Sequence, residues 1–152
     1  QAMDLFYNDE HNKLKPVVMG SYGIGLGRCM AAIAEQKHKD NKLVWPLAIA
    51  PYEVAIVTTN QKLQEQIDLG ESLYSQAKKE NIDVVFDNRN ERAGIKFNDM
   101  ELIGVPFMIV LGKALSENQV EIKNVYQKTS TLVPIDEVMV SLKEMMHQAK
   151  QN

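Results

Sequence analysis

Cysteine is almost absent from this chain of 152 residues, and long apolar runs are missing altogether. The one cysteine, Cys29, cannot form a disulfide within the chain, so the fold must be stabilised by a packed core. No apolar run approaches the ~20 residues that a membrane-spanning helix needs. The amino-terminal residues also lack the basic and then apolar stretch of a secretion signal. These absences exclude a disulfide scaffold and a helical membrane protein, and one cysteine fits a reducing compartment.

Charge is balanced with a small acidic excess, a formal net charge of -3. That value argues against a nucleic-acid binder driven by charge alone. It leaves room for a protein that reads a few exposed bases, because base edges need carboxylates as well as cations. Metal chemistry has little support, since the three histidines are isolated in sequence and one cysteine cannot build a thiolate site. We therefore expect no metal centre.

Hydrophobic periodicity predicts an α/β protein, with the element order β-α-β-α-β-β-β-α from residue 51 onward. Strand-helix-strand units imply right-handed crossovers and a largely parallel sheet. From about residue 46 we expect a mixed five-stranded sheet with three helices, preceded by one strand and one helix. The predicted strands are residues 16–20, 53–59, 83–86, 107–111, 119–126 and 131–133, and the predicted helices are residues 28–39, 61–80, 95–103 and one starting near residue 134.

A glycine cluster lies between the first predicted strand and helix, with Gly23, Gly25 and Gly27 directly before Arg28. Glycines here let a backbone approach a phosphate closely, and a cation at a helix start can clamp it. The dinucleotide fingerprint fails because its third glycine position is Arg28, and the Walker pattern lacks its lysine. A tight turn without a ligand and a small nucleotide-binding α/β protein both stay open on spacing alone.

Three stretches of the sequence resemble one family. The stretch from Met19 to Gln36 (MGSYGIGLGRCMAAIAEQ) resembles motif 3 of class II aminoacyl-tRNA synthetases in its bacterial prolyl form. Residues 44–57 resemble the crossing into the anticodon-binding domain of that family, and residues 86–112 resemble the most recognisable segment of that domain. The resemblance runs from about Pro16 to the carboxyl terminus. The chain is therefore similar to the C-terminal region of bacterial-type prolyl-tRNA synthetases.

The resemblance implies two domains, residues 1–45 as the end of a class II catalytic domain and residues 46–152 as the anticodon-binding domain. In the complete enzyme it implies ATP-dependent activation of proline, with Mg²⁺ accompanying the ATP, and charging of tRNA(Pro) in the cytoplasm. By the same resemblance Arg28 contacts the ATP phosphates as a catalytic residue, with Gly23, Gly25 and Gly27 beside the nucleotide.

The resemblance also implies partners: the rest of the catalytic domain, a second copy in a homodimer, and the anticodon stem-loop of tRNA(Pro). Motifs 1 and 2 are not in this sequence, so we expect the chain by itself to be catalytically silent. The apolar residues Val17, Val18, Met30 and Ile33 are expected to pack on the rest of a catalytic domain. A stand-alone RNA-binding module without a catalytic role is the alternative.

The charged residues from 87 to 101 have the side-chain types that bind the pairing edge of guanine. Proline anticodons carry guanines at their second and third positions, and a guanine edge offers donors to a carboxylate and an acceptor oxygen to a cation. The plain interpretation is a solvated, salt-bridged loop and helix, with Phe97 in the core rather than stacked on a base. Guided by the resemblance, we place Lys96 first and Arg89 second. The predicted anticodon-binding residues are Lys96, Arg89, Phe97, Asp87, Asp99, Glu101 and, from the preceding helix, Glu71.

Overall fold

Two compact units make up the computed structural model, which describes residues 3–39 and 42–150. The first unit ends at Met30 and the second begins at Ala31. The first unit holds an antiparallel hairpin of β1 (Phe6–Asn8) and β2 (Leu14–Pro16). The carboxylate of Asp9 closes its turn by accepting backbone N–H groups and pairing with the Lys15 ammonium at 2.9 Å. That ion pair is the main cause of a lowered pKa at Asp9.

The buried strand predicted for residues 16–20 is not formed. The strand β2 ends at Pro16, and the following residues have no regular structure. Val18 is 91% exposed and Met19 is also exposed. A strand needs a neighbour that pairs its backbone N–H and C=O groups, and β1 pairs only as far as Pro16. Apolar character alone was therefore a misleading signal here.

The first helix, α1 (Leu26–Lys37), was predicted to within two residues at each end. No residue of α1 is buried. Of the apolar residues expected to pack on a catalytic domain, Val17, Val18 and Met30 are exposed and Ile33 is half-buried. A two-residue antiparallel pair, β3 (His38–Lys39) and β4 (Lys42–Leu43), follows α1 and had no sequence signal.

The second unit is built on a mixed five-stranded sheet with the order β6-β5-β7-β8-β9, which confirms the predicted fold class. The strands β5, β6 and β7 run parallel, and β8 and β9 are antiparallel to their neighbours. The bounds are β5 (Val54–Thr58), α2 (Gln64–Lys79), β6 (Val84–Asp87), α3 (Ala93–Ile103), β7 (Phe107–Leu111), β8 (Gln119–Asn124), β9 (Thr129–Pro134) and α4 (Val138–Lys150).

Burial follows the type of strand. Every residue of β5 and β7 is buried, as expected for parallel strands covered on both faces. In β8 the even-numbered residues are buried and the odd-numbered ones are half-buried, the alternation of a strand with one open face. This difference lets the apolar runs of β5 and β7 be found from sequence alone.

Two hydrophobic clusters lie on opposite faces of the sheet. The larger contains Val54 and Ile56 of β5 together with residues of α2 and α4. The smaller contains Ala55 and Val57 of β5 together with Met100 of α3. Successive residues of a strand point to opposite faces, so α2 and α4 cover one face and α3 covers the other.

The helix α2 begins three residues later than predicted. The side chain of Asn60 accepts the Lys62 N–H, which forms a local turn in place of helix. Leu63, which lies inside the predicted helix of residues 61–80, is therefore outside the observed helix and is exposed. Further along, Gly70 lies against Phe86, where an added Cβ would come within 2.4 Å of the ring.

The end of α3 is fixed by a glycine. Gly104 has a φ of 84°, in the left-handed region, and its N–H bonds the carbonyl of Met100. An added Cβ would lie 2.8 Å from the ring of Trp45, whose indole N–H donates to the carbonyl of Ile103. Among the described residues, no helix has the length and apolar character to span a bilayer.

Candidate functional site

The carboxyl ends of three parallel strands meet at one edge of the sheet. The strands β5, β6 and β7 end there at Thr58, Asp87 and Leu111. After β5 the chain passes into α2 on one face, and after β6 into α3 on the other. In open α/β sheets, ligands bind in the crevice outside the carboxyl ends where connections diverge in this way. We call this the carboxyl edge, and it is the candidate site.

Lys96 lies at this edge with its ammonium turned into the protein. It is fully buried, and Nζ donates to the carbonyl and hydroxyl oxygens of Thr58 at 3.0 Å each and to the carbonyl of Asp87 at 3.2 Å. An ammonium has three donors, so all three are used within the protein. Lys96 thereby ties the end of β5 to the end of β6.

Arg89 is held by two carboxylates at the same edge. Its Nε and Nη2 donate to the two oxygens of Asp87 at 3.0 and 2.7 Å, in a bidentate pair. Nη2 also donates to Asp99 of α3 at 2.7 Å. The Asp87 side chain is 1% exposed, whereas Arg89 is 49% exposed. The guanidinium is therefore fixed in orientation but still reaches solvent.

The pKa shifts of Asp87, Arg89 and Lys96 agree with these hydrogen bonds. Burial alone would raise the pKa of Asp87, but the hydrogen bonds and charge of Arg89 outweigh it and the pKa is lowered. The bonds to Asp87 and Asp99 raise the pKa of Arg89 above its usual range. Burial lowers the pKa of Lys96, and the nearby Asp87 carboxylate opposes that shift. Asp87 and Arg89 are thus ionised together at neutral pH.

In the Arg89–Asp99 pair, two polar atoms have no hydrogen bond to any residue that the structure describes. They are Nη1 of Arg89 and Oδ1 of Asp99, since the bonds between these residues use Nη2 and Oδ2. One is a donor and the other an acceptor, and both belong to partly exposed side chains. The pair can offer a donor beside an acceptor to a planar polar ligand.

A buried glutamine shapes the loop after β5 and was missed from sequence. Oε1 of Gln66 accepts the N–H groups of Thr59 and Asn60 at 3.1 and 3.0 Å. Thr59 in turn donates its hydroxyl to the carbonyl of Leu111 in β7. The signal that could have found this loop is a cluster of polar residues directly after an apolar strand. Thr58 carries the same signal and also accepts the side-chain N–H of Gln61.

The other predicted anticodon-binding residues lie apart from this cluster. Phe97 is half-buried against the smaller hydrophobic cluster, and one ring face carries the Lys123 ammonium 4.4 Å from its centroid. Glu101, near the end of α3, forms an ion pair with Lys42 at 2.7 Å. Glu71 is exposed on α2, which covers the opposite face of the sheet. The structure thus brings together Asp87, Arg89, Lys96 and Asp99 and leaves the other three outside.

In the first unit the glycine cluster has open space around it. A Cβ added at Gly23 or Gly27 would meet nothing within 4 Å, and one at Gly25 would lie 3.6 Å from Nε of Arg28. Arg28 is exposed in the first turn of α1. An exposed guanidinium beside uncrowded glycines is compatible with a phosphate contact, but these residues by themselves enclose no nucleotide. The described residues also contain no cluster of three histidine, cysteine or carboxylate side chains placed to hold a metal ion.

A comparison with protein families decides what this fold is. Residues 53–145 match the family model described as "Anticodon binding domain". The chain belongs to the anticodon-binding domain family. The matched residues contain the whole carboxyl edge, whereas the glycine cluster and Arg28 lie outside them.

Relatives of this anticodon-binding domain protein extend the likeness over nearly the whole chain. The proline-tRNA ligase of Syntrophomonas wolfei is 45% identical over 147 residues, 96% of this chain and 26% of that protein. Those of Picosynechococcus and Bacillus subtilis are 40% and 44% identical over 99% and 91% of this chain. The chain spans about a quarter of the length of these relatives. The predicted resemblance to prolyl-tRNA synthetases is confirmed.

Proposed function

We propose that this chain recognises the anticodon of tRNA(Pro) within a prolyl-tRNA synthetase. The observation that carries the proposal is the half-exposed Arg89, fixed by Asp87 and Asp99 at the carboxyl edge of an anticodon-binding domain. Most of the site's charge is internally paired, which suits a protein with a net charge of -3 that reads bases rather than attracting phosphates at large.

The unpaired atoms match the pairing edge of guanine. Nη1 of Arg89 can donate to guanine O6, while Oδ1 of Asp99 can accept from guanine N1–H or the N2 amino group. Adenine presents the reverse order, a donor at N6 and an acceptor at N1, so the same two atoms would reject it. Guanines at the second and third positions of proline anticodons are therefore suitable ligands for this pair.

Lys96 acts in this proposal as a positioning residue. Its ammonium is enclosed by oxygens of Thr58 and Asp87, so it holds the backbone from which the Asp87 carboxylate projects. Asp87 is also a positioning residue, since both of its carboxylate oxygens accept from Arg89. The four predicted residues that lie together thus have two roles in this proposal. Arg89 and Asp99 face the base, and Lys96 and Asp87 orient them.

The test is binding of the whole chain to an RNA hairpin carrying a proline anticodon, followed by fluorescence anisotropy at one salt concentration. A matched hairpin has adenine in place of both guanines. A well-aligned side-chain pair discriminates between bases by about 1–3 kcal/mol, roughly 5- to 150-fold in affinity. We expect a preference in that range for the guanine hairpin and its loss in Arg89→Gln.

Arg92→Gln is the matched control. Arg92 lies in the same loop, is exposed and forms no side-chain cap at the start of α3, so the substitution removes an equal charge nearby. It should weaken binding to both hairpins equally and leave the guanine preference in place. Equal binding of both hairpins by the unaltered chain would overturn the proposal, as would a full preference in Arg89→Gln.

For the amino-terminal region, we propose that residues 1–45 form the end of a catalytic domain and residues 46–152 the anticodon-binding domain. The relatives match across both of these ranges, whereas the anticodon-binding family model matches only within the second. In the complete enzyme Arg28 would contact the phosphates of ATP, which would bring Mg²⁺ with it, and Gly23, Gly25 and Gly27 would let the backbone come close. The enzyme would work in the cytoplasm as a homodimer.

The chain by itself is proposed to be catalytically silent, because it spans only a quarter of its relatives. A pyrophosphate-exchange assay with proline and ATP tests this directly. No turnover above a protein-free control is expected, and proline-dependent turnover would contradict the proposal.

A further inference from the structure

A groove of about 760 Å³, with charged side chains in its lining, lies in the second unit, away from the carboxyl edge. Its floor is formed by β8 and β9, and the end of α3 and the β3–β4 pair contribute to its walls. We call it the β8–β9 groove. Its charged side chains are Lys37, Lys42, Lys123, Lys128, Glu101 and Glu121. Four lysines against two glutamates give a formal charge of +2, on a chain whose net charge is -3.

The floor is polar because β8 has one open face. Val120 and Ile122 are buried in the larger hydrophobic cluster under α4, and Glu121 and Lys123 are half-buried on the other face. The helix α3 covers β5 and β7 on that face, so β8 and β9 lie beside it rather than beneath it. The groove is the uncovered area of the sheet.

Lys123 is a groove cation with no carboxylate partner among the described residues. Lys42 pairs with Glu101 at 2.7 Å, and Glu121 accepts the hydroxyl of Ser130. Within the described residues, Lys123 makes no ion pair and its Nζ instead lies 4.4 Å above the ring of Phe97. A cation–ring contact at a partly exposed site is worth only about 0.5–1 kcal/mol. The Lys123 ammonium can therefore exchange this contact for an anion at little cost.

The groove and the guanine-reading pair lie at opposite ends of the sheet. Lys123 is paired in register with Met108, the second residue of β7, whereas Arg89 follows the carboxyl end of β6. A strand advances about 3.3 Å per residue, so from Met108 to Leu111 at the carboxyl edge is about 10 Å. The strands β6 and β8 are also three places apart in the sheet, which adds about 14 Å across it at about 4.8 Å per strand. A nucleic-acid strand held at Arg89 can cover both distances within a few nucleotides.

We propose that the β8–β9 groove binds the sugar-phosphate backbone of the RNA strand flanking the anticodon, with the Lys123 ammonium on a phosphate. The proposal rests on the proposed function, and it adds a phosphate-binding surface to the base-reading edge. The charge excess and the unpaired cation favour a polyanion over an apolar partner. When Lys123 moves to the phosphate, the ring face of Phe97 that it covered becomes available to a base.

The test is the salt dependence of binding of the whole chain to the guanine-containing proline anticodon hairpin. For single strands, each phosphate neutralised contributes about 0.7 to the slope of log affinity against log salt. Lys123→Gln should lower the slope by about 0.7 and weaken affinity most at low salt, with the guanine preference unchanged. Lys123→Arg keeps the charge and should restore the slope.

Lys143→Gln is the matched control, because it removes the same charge from α4 on the opposite face, where Lys143 pairs with Glu80 at 2.9 Å. Its slope should equal that of the unaltered chain. A slope unchanged by Lys123→Gln, with the guanine preference intact, would contradict phosphate binding in the β8–β9 groove. It would leave the proposed recognition of guanine at the carboxyl edge unaffected. Loss of the guanine preference in the unaltered chain would instead point to failure of the proposed function.

Discussion

The two units of this chain hold similar apolar residues in opposite environments. In the first, Val18, Tyr22 and Ile24 are all more than four-fifths exposed. In the second, every residue of β5 and β7 is buried between helices. Apolar side chains are thus not enough to make a core, because a strand must also find neighbours that pair its backbone. The second unit provides a five-stranded sheet and the short β3–β4 pair, and the first provides one short hairpin.

The largest effect should come from matched isoleucine truncations in the two units. Ile109→Ala removes a side chain that is 1% exposed in β7, and such a cavity costs about 2–5 kcal/mol of unfolding free energy. Ile24→Ala removes one that is 83% exposed, and surface changes stay within about 0.5 kcal/mol. Urea unfolding followed by the fluorescence of Trp45, the one tryptophan, measures both. A comparable loss in Ile24→Ala would show that Ile24 is packed in solution.

The same contrast explains how much of the fold could be predicted from sequence. The strands β5 and β7 were found because parallel strands buried on both faces read as unbroken apolar runs, and the edge strand β6 was found from its short apolar run. By the same rule residues 16–20 were predicted as a buried strand, and the prediction was wrong because the pairing partner is not encoded in the run itself. The pair β3–β4 is too short to show any period. The late start of α2 depended on Asn60 and Gln66, whose side-chain bonds no periodicity reveals.

A second, smaller loss of unfolding free energy should distinguish a buried lysine from an exposed one. Lys96→Met keeps most of the side-chain volume but removes the donor shared by the Thr58 and Asp87 oxygens. Leaving buried polar groups without a partner costs about 1–3 kcal/mol, and we expect a loss of that size. Lys13→Met in the first unit is the control, because Lys13 is exposed and its ammonium makes no hydrogen bond or ion pair with the described residues. Equal stability of the two variants in the urea experiment would contradict the enclosed ammonium.

At the site, the residues could be predicted from the sequence, but the orientation of their side chains could not. The resemblance and the charge pattern selected Asp87, Arg89, Lys96 and Asp99, which the structure brings together. Arg89 and Lys96 both have long side chains and lie in a polar stretch, so the sequence does not predict which of them is enclosed and which faces solvent. That choice depends on the carbonyl oxygens at the ends of β5 and β6, which only the sheet brings within reach of Lys96. Glu71 was a plausible carboxylate that the fold carries to the other side of the sheet.

The smallest effect concerns acid, and it compares Asp87 with Asp9 of the first unit. Both have lowered pKa values, Asp9 mainly through the Lys15 ion pair, and Asp87 because the bonds to Arg89 outweigh the opposing effect of burial. A carboxylate whose pKa is lower in the folded state than its unfolded value near 3.9 stabilises the fold above that value. This stabilisation is lost as pH falls through the lowered pKa of the folded state.

Asp87→Asn should therefore lower the urea midpoint at pH 7 and flatten the fall of that midpoint below pH 4. Asp9→Asn should leave the Trp45-monitored curve unchanged at every pH, because the Asp9 carboxylate stabilises a hairpin turn of the first unit, whereas Trp45 lies in the second. A steep acid fall that persists in Asp87→Asn would assign the acid sensitivity to other carboxylates and remove Asp87 from its orienting role.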